Sequence, residues 1–290
     1  MIQDKISKAK NRIWIIGGSG FIGSVLKKRL ETHGKPLVTT STTGCYNQIK
    51  FDLQNHNDFD YNKIISGDVI IFLASISSLQ SCETEVEKVK NINVYGSAGA
   101  IERFLDRNAI VYFASSDAVY GETIKPLNDG ARVAPISEYG SMKANIEERF
   151  SGADNFYSLR FSNVYGLESP FFLKLKMAEK TREIFKVFNN YYRNFISIND
   201  VVDFFNIVIE NPDICEKKLI NVGGPEVISR SAFVDEIKMH VCPSLTTKPV
   251  IMPLNVAAYT PQKTMMVSSE LNKILGRQPK NIGEWIHENK

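Results

Sequence analysis

Tyr139 and Lys143 stand four residues apart in the run Tyr139-Gly140-Ser141-Met142-Lys143. On a helix that spacing puts both side chains on one face. An ammonium beside a phenol lowers the phenol's pKa. Such a phenol can exchange a proton with a hydroxyl or carbonyl while hydride passes to or from a nicotinamide. By itself the pair also fits an ordinary surface helix. A second group precedes it in Ser115-Ser116-Asp117-Ala118-Val119-Tyr120-Gly121, which follows the apolar run Ile110 to Ala114. That places Ser115 and Ser116 at the carboxyl end of a strand, where open α/β sheets bind ligands. A serine hydroxyl there can hydrogen-bond a reacting oxygen, or simply cap the strand end.

A site for the dinucleotide is written in Gly17-Gly18-Ser19-Gly20-Phe21-Ile22-Gly23, which lies between a strand-like and a helix-like segment. Gly17 permits a tight turn, Gly20 lets backbone approach a pyrophosphate, and Gly23 lets the helix pack on the strand. Phe21, Ile22 and Gly23 open the helix, whose free N–H groups and positive dipole end favour an anion. Glycines at this spacing also make plain turns; the strand-to-helix context is what favours the cofactor. NAD sites usually place an acid at the end of the second strand, against the adenosine ribose. Here that position is Ser41, within Thr39-Thr40-Ser41-Thr42-Thr43. No carboxylate repels a 2′-phosphate, which favours NADP while leaving NAD open. A polar turn without preference is the plainer reading. Asp52 and Leu53 follow the third strand, where an aspartate can meet the adenine amino group or make a turn. Ala74 ends the fourth strand, where a small residue leaves room for the cofactor.

The elements that must position these groups follow from the apolar pattern. Arg12 to Ile16, Val69 to Leu73 and Ile110 to Ala114 are continuous apolar runs, as expected of parallel strands covered on both faces. Leu37 to Thr40 and Ile49 to Phe51 read as further strands, and about Cys82 to Arg107 as one long helix. The alternation predicts an α/β fold, a Rossmann-type doubly wound parallel sheet with a smaller C-terminal substrate lobe. Residues 1–163 form the dinucleotide-binding domain in this reading. Residues 164–290 form mainly the substrate lobe, with segments about 195–222 returning to the core. Helices are expected near 170–180, 199–210, 229–241 and 268–275, and a strand at Leu219 to Val222.

Composition narrows the class. The chain has 290 residues, 43% of them hydrophobic, enough for a sizeable core without staples. A net charge of +3 with scattered Lys and Arg argues against a nucleic-acid partner. Cys45, Cys82, Cys215 and Cys242 form no CxxC pair and no metal set, so free thiols and no metal are expected. The first ten residues lack a signal-peptide apolar stretch, and no run approaches a membrane span. A cytoplasmic protein with no membrane partner is the expectation.

Taken together, these motifs resemble an extended short-chain dehydrogenase/reductase of the NAD-dependent epimerase/dehydratase family acting on nucleotide sugars. GGSGFIGS, FDL, FLAS, NVYGSAGAIE, SSDAVYG, YGSMK, LRFSNVYG, RNFISINDVV and INVGGPE occur in order over nearly the whole chain. The resemblance implies that Ser116, Tyr139 and Lys143 are catalytic and that Tyr139 and Lys143 also meet the cofactor. It implies that Asn163 and Arg193 hold a nucleotide sugar's phosphates; alone they would read as a turn residue and a surface charge. Similar 4,6-dehydratases carry Thr-Asp-Glu where this chain has Ser116-Asp117-Ala118, so dehydration lacks a principal proton carrier. The leading expectation is NADPH-dependent reduction of a keto-sugar nucleotide, similar to the dTDP-4-dehydrorhamnose reductase group. An NAD-dependent 4-epimerase is the alternative. A non-catalytic dinucleotide-binding regulator is the reading from another class. A homodimer is plausible by the same resemblance.

Overall fold

The computed structural model describes residues 11–31, 36–45 and 48–289. The first half runs β1 (Ile13–Ile16), α1 (Phe21–Glu31), β2 (Leu37–Ser41), β3 (Ile49–Lys50) and β4 (Val69–Phe72). Helices α2 (Leu79–Thr84), α3 (Val86–Lys90) and α4 (Ser97–Asp106) follow, then β5 (Ile110–Ser116), α5 (Glu138–Arg149) and β6 (Phe156–Phe161). The second half begins with β7 (Val164–Tyr165), α6 (Pro170–Thr181), β8 (Phe185–Phe188), β9 (Tyr192–Arg193) and β10 (Ile196–Ser197). It continues through α7 (Ile198–Glu210), β11 (Leu219–Val222), β12 (Ile228–Ser229), α8 (Arg230–His240) and β13 (Thr247–Val250). It closes with α9 (Leu254–Ala257), α10 (Ser269–Leu275) and α11 (Ile282–Glu288).

One parallel sheet carries the fold, with strand order β11-β6-β5-β4-β1-β2-β3. Side chains alternate across it. Trp14, Ile16, Phe72 and Phe113 face a core closed by α4 and α5 through Phe104, Met142 and Ile146. Ile13, Ile15 and Tyr112 face the other core, closed by Leu26 and Leu30 of α1, Phe204 and Phe205 of α7, and Leu271 of α10. Both faces are therefore dry, which is why β1, β4 and β5 read as unbroken apolar runs. α7 and β11 come from the second half, return to this sheet and complete its edge. The remaining second-half elements surround their own core of Phe172, Phe233 and Trp285.

The single helix expected over 82–107 is a broken one. It starts at Leu79, capped by Ser78, whose Oγ accepts from Ser81 N at 3.2 Å. It kinks at Glu85 (φ −123°, ψ 43°) and passes through a π-turn at Asn91–Gly96. The π-turn brings Asn93 inward, where its amide clamps one backbone residue of the loop after β4. Asn93 Oδ1 accepts from Ile76 N at 2.8 Å, and Nδ2 donates to Ile76 O at 2.8 Å. Single π-turns occur frequently at functional sites.

α5 is fixed at both ends. Ser137 Oγ accepts from Gly140 N at 3.0 Å, and Glu83 Oε1 from α2 accepts from Glu138 N at 2.8 Å. Further along, Glu147 holds buried Arg160 of β6 with contacts of 2.6–3.1 Å. Arg160 also donates to Tyr120 Oη at 2.8 Å and Ala131 O at 3.0 Å. Removing one partner leaves a buried charge unpaired. Glu147→Gln is therefore expected to lower stability by about 3–5 kcal/mol, measured as the urea midpoint. A midpoint at the wild-type value would contradict this account of the pair.

Candidate active site

A cleft of about 500 Å³ opens at the carboxyl ends of the strands, between the sheet and the second-half core. Gly20, Ser75, Ser116, Tyr139, Asn163 and Arg230 are among its walls. Three glycines of the turn each meet a separate demand. Gly17 has φ +93°, and a Cβ there would lie 2.9 Å from Ala74 N. A Cβ on Gly23 would lie 2.4 Å from Gly17 O, so α1 needs this glycine to dock. Gly20 meets only Gly17 O, at 3.5 Å, and leaves its cleft side open. The first residues of α1, Phe21, Ile22 and Gly23, line the same cleft and have no acidic residue among them. This is a cradle of backbone N–H groups suited to phosphate.

Tyr139 and Lys143 both reach the cleft from α5. Lys143 Nζ lies 5.6 Å from the Tyr139 ring centre and 4.6 Å from that of Phe113. It donates to Ala114 O at 2.7 Å and makes no ion pair among the described residues. Burial pushes its pKa down to about 7, against smaller opposing effects of Cys82 and Glu147. Burial likewise pushes the Tyr139 phenol up, against a smaller opposing effect of the Ser75 hydroxyl. Burial, and not the lysine that the four-residue spacing brings alongside, dominates the phenol.

The two serines at the end of β5 differ. Ser116 Oγ donates to Asp117 Oδ1 at 3.3 Å and accepts from Ala118 N at 3.2 Å, so it caps the turn at 117–120. Ser115 lines the cleft, and its buried Oγ has no hydrogen-bond partner among the described residues. A buried hydroxyl without a partner is costly unless a bound molecule or water supplies one.

The expected phosphate-binding pair is placed unequally. Asn163 lines the cleft and donates from Nδ2 to Tyr191 Oη at 3.1 Å. Arg193 is buried behind the wall, its Nε 3.1 Å from Asp117 Oδ2, with Nη2 donating to Pro261 O at 2.6 Å. Burial pushes the Asp117 carboxyl up, and Arg193 and the hydroxyls of Ser116 and Ser162 oppose this. The guanidinium on the cleft wall is Arg230, which the sequence motifs did not single out. It stacks 3.8 Å from the Tyr191 ring centre, with Arg193 4.1 Å from the same ring. Arg230 has no ion pair among the described residues, and burial followed by the nearby Arg193 charge lowers its pKa. Ser75 and Asn93 were also missed, since only the fold brings them to Tyr139 and Ile76.

The positions expected at the adenine end lie outside the walls of this cleft. Ser41 is buried at the end of β2 and its Oγ accepts from Gly44 N at 3.1 Å. Thr42 and Thr43 beside it are exposed. Asp52 caps the turn at 53–58, accepting from Gln54 N at 3.0 Å, and Leu53 is buried. Ala74 packs against Gly17. Among the described residues no group of His, Cys, Asp or Glu is arranged to hold a metal, and the four cysteines are free. No helix among those residues is long and apolar enough to cross a membrane.

The family model described as "NAD dependent epimerase/dehydratase family" matches residues 13–223. An ADP-L-glycero-D-manno-heptose-6-epimerase of Brachyspira hyodysenteriae is 26% identical over 69% of this chain and 73% of its own length. A dTDP-4-dehydro-6-deoxyglucose reductase of Escherichia coli is 24% identical over 80% and 82%. In three dimensions, dTDP-4-dehydrorhamnose reductase from Bacillus anthracis, solved with NADP, superposes with a TM-score of 0.84. It is 19% identical and covers 96% of this chain and 98% of its own. The glycine cradle, the Tyr139–Lys143 pair and a family match reaching from β1 to the end of β11 agree: the chain belongs to the NAD dependent epimerase/dehydratase family and is an NAD(P)-dependent enzyme.

Proposed function

We propose that this protein reduces a keto-sugar nucleotide, of the 4-keto-6-deoxy class, with NADPH as the hydride source. The observation that carries the cofactor choice is β2, which ends in buried Ser41 with no carboxylate beside it. The relative named a reductase supports the direction of reaction. In this reading residues 1–163 bind the dinucleotide, with Asp52, Leu53 and Ala74 bordering its adenine and nicotinamide ends. Residues 164–290 supply most of the substrate contacts. A bound nicotinamide supplies hydride.

The chain's own residues do the rest. The first turn of α1 holds the cofactor pyrophosphate. Arg230, with Asn163 beside it, holds the substrate's diphosphate, while Arg193 anchors Asp117 behind the wall. Ser116 orients the carbonyl oxygen, and Tyr139 gives that oxygen its proton. Lys143 meets the nicotinamide ribose and, when protonated, favours the phenolate left on Tyr139. The Phe161, Phe171, Phe195 and Phe233 side of the cleft gives the sugar and base an apolar surface.

The test is a panel of keto-sugar nucleotides assayed with NADPH and with NADH. Net consumption of nicotinamide, faster with NADPH, is the expected result. Ser41→Asp should reverse the preference by about tenfold or more, because a carboxylate repels the 2′-phosphate. Equal or better use of NADH by the wild type would refute the cofactor assignment. The relative named an epimerase favours a second reading, a nucleotide-sugar epimerase that retains its cofactor. Interconversion of two sugar nucleotides without net nicotinamide consumption would select it.

A further inference from the structure

We propose that Tyr191 is a positioning residue for the nucleotide substrate. Its ring holds the Arg230 guanidinium and its hydroxyl holds the Asn163 amide, so that both meet one diphosphate. This rests on the reading above that gives Arg230 and Asn163 the substrate's phosphates. Those two residues line the cleft, whereas Tyr191 is only 7% exposed.

The backbone brings the three side chains together. β9 and β12 pair antiparallel, with Arg193 opposite Ile228 and Tyr192 opposite Ser229. One step further along, Arg230 N donates to Tyr191 O at 2.8 Å, which sets Arg230 opposite Tyr191. Opposite residues of such a pair share a face, and so do residues two apart on one strand. Arg230 therefore reaches the Tyr191 ring from across the ribbon, and Arg193 reaches it from two residues along. Their guanidiniums lie 3.8 and 4.1 Å from the ring centre. At the tip of the ring, Asn163, which stands between β6 and β7, donates from Nδ2 to Tyr191 Oη at 3.1 Å.

The two arginines bring unequal charge to this cluster. Arg193 is neutralised by Asp117 at 3.1 Å, whereas Arg230 has no ion pair among the described residues and faces the cleft. Two guanidiniums on one ring repel each other, and the negative face of the ring attracts both. The stack also limits the rotamers open to Arg230. A long side chain that is already held loses less freedom when it takes up an anion. The Tyr191 hydroxyl does the same for Asn163, by fixing its amide through a hydrogen bond. Leucine at this position would offer neither the aromatic face nor the hydroxyl, and phenylalanine would offer the face alone.

The experiment is calorimetric titration of dTDP, UDP, GDP, CDP and ADP into protein saturated with NADPH. For the probe that binds wild type best, Tyr191→Leu should raise Kd by about tenfold. Tyr191→Phe, which loses only the bond to Asn163, should raise it by about threefold. Tyr191 acts mainly through Arg230, so adding Tyr191→Leu to Arg230→Met should weaken binding by no more than about threefold further. A full tenfold further loss in that double variant would mark a merely structural residue and overturn the proposal. So would a wild-type Kd in Tyr191→Leu, or a Tyr191→Phe as weak as Tyr191→Leu. Should leucine unfold the chain, Tyr191→Phe still decides. Its loss should vanish in an Asn163→Ala background, and a loss that persists there rejects the link. A wild type that binds none of the five probes would also overturn the proposal. One that binds a probe yet reduces no keto-sugar nucleotide would sink the reductase reading, while the binding comparison still decides the role of Tyr191.

Discussion

Arg230→Met is expected to raise the KM for the nucleotide substrate by about 30-fold or more, while the Kd for NADPH stays near its wild-type value. The guanidinium is half-buried on the cleft wall, stacked 3.8 Å from the Tyr191 ring centre and 5.5 Å from that of Phe171. It has no ion pair among the described residues, and burial and Arg193 both lower its pKa. A cation held in this way favours an anion in the cleft. Losing one partner of a desolvated charge pair typically costs about 2–5 kcal/mol, which is about 30-fold or more in affinity. Methionine keeps much of the packing volume on Tyr191 and removes the charge. Steady-state KM, with a melting curve to show the variant folded, is the measurement. A KM within about threefold of wild type would remove Arg230 from substrate binding. Arg193 should respond differently, because it pairs with Asp117 at 3.1 Å and its loss would first strand a buried carboxylate.

The contrast between the two arginines shows where the sequence stops being informative. β1, β4 and β5 were legible because strands dry on both faces leave unbroken apolar runs. The turn at Gly17 to Gly23 was legible because backbone geometry allows little else at those positions. Which arginine faces the cleft depends on where Asp117 ends up, far away in the chain, and local pattern carries no trace of that. The broken helix from Leu79 to Asp106 has the same origin: its π-turn is held by Asn93 reaching back to Ile76. Tertiary bonds of this kind override local propensity. β8 and β13 pair in parallel across a long separation, and β13 contains Pro249, which hides it from any strand pattern. The apolar run marks β5 only as far as Ala114, because its last two residues are polar and border the cleft.

Tyr139→Phe is expected to have the largest effect on turnover, lowering kcat by about 10²–10⁴-fold. Phenylalanine keeps the ring against the surrounding core and removes only the hydroxyl with its transferable proton. NADPH binding should therefore change little. Lys143→Met differs, because Lys143 serves both the phenol and the cofactor ribose; it should weaken turnover and NADPH binding together. A pH test separates the two roles. Burial holds the Lys143 pKa down to about 7, so the ammonium form is lost as pH rises through that value. If the cofactor binds the ammonium, binding takes up a proton. Wild-type affinity for NADPH should then fall as pH rises above about 7, and Lys143→Met should abolish that dependence while Tyr139→Phe preserves it. Titration of NADPH into each protein across this range, beside single-turnover rates on the best substrate, makes the comparison. If Tyr139→Phe retains most of the wild-type single-turnover rate, the proton comes from another group and the assigned chemistry is wrong. The glycine cradle and the sheet would still bind a dinucleotide, because their geometry does not depend on the phenol.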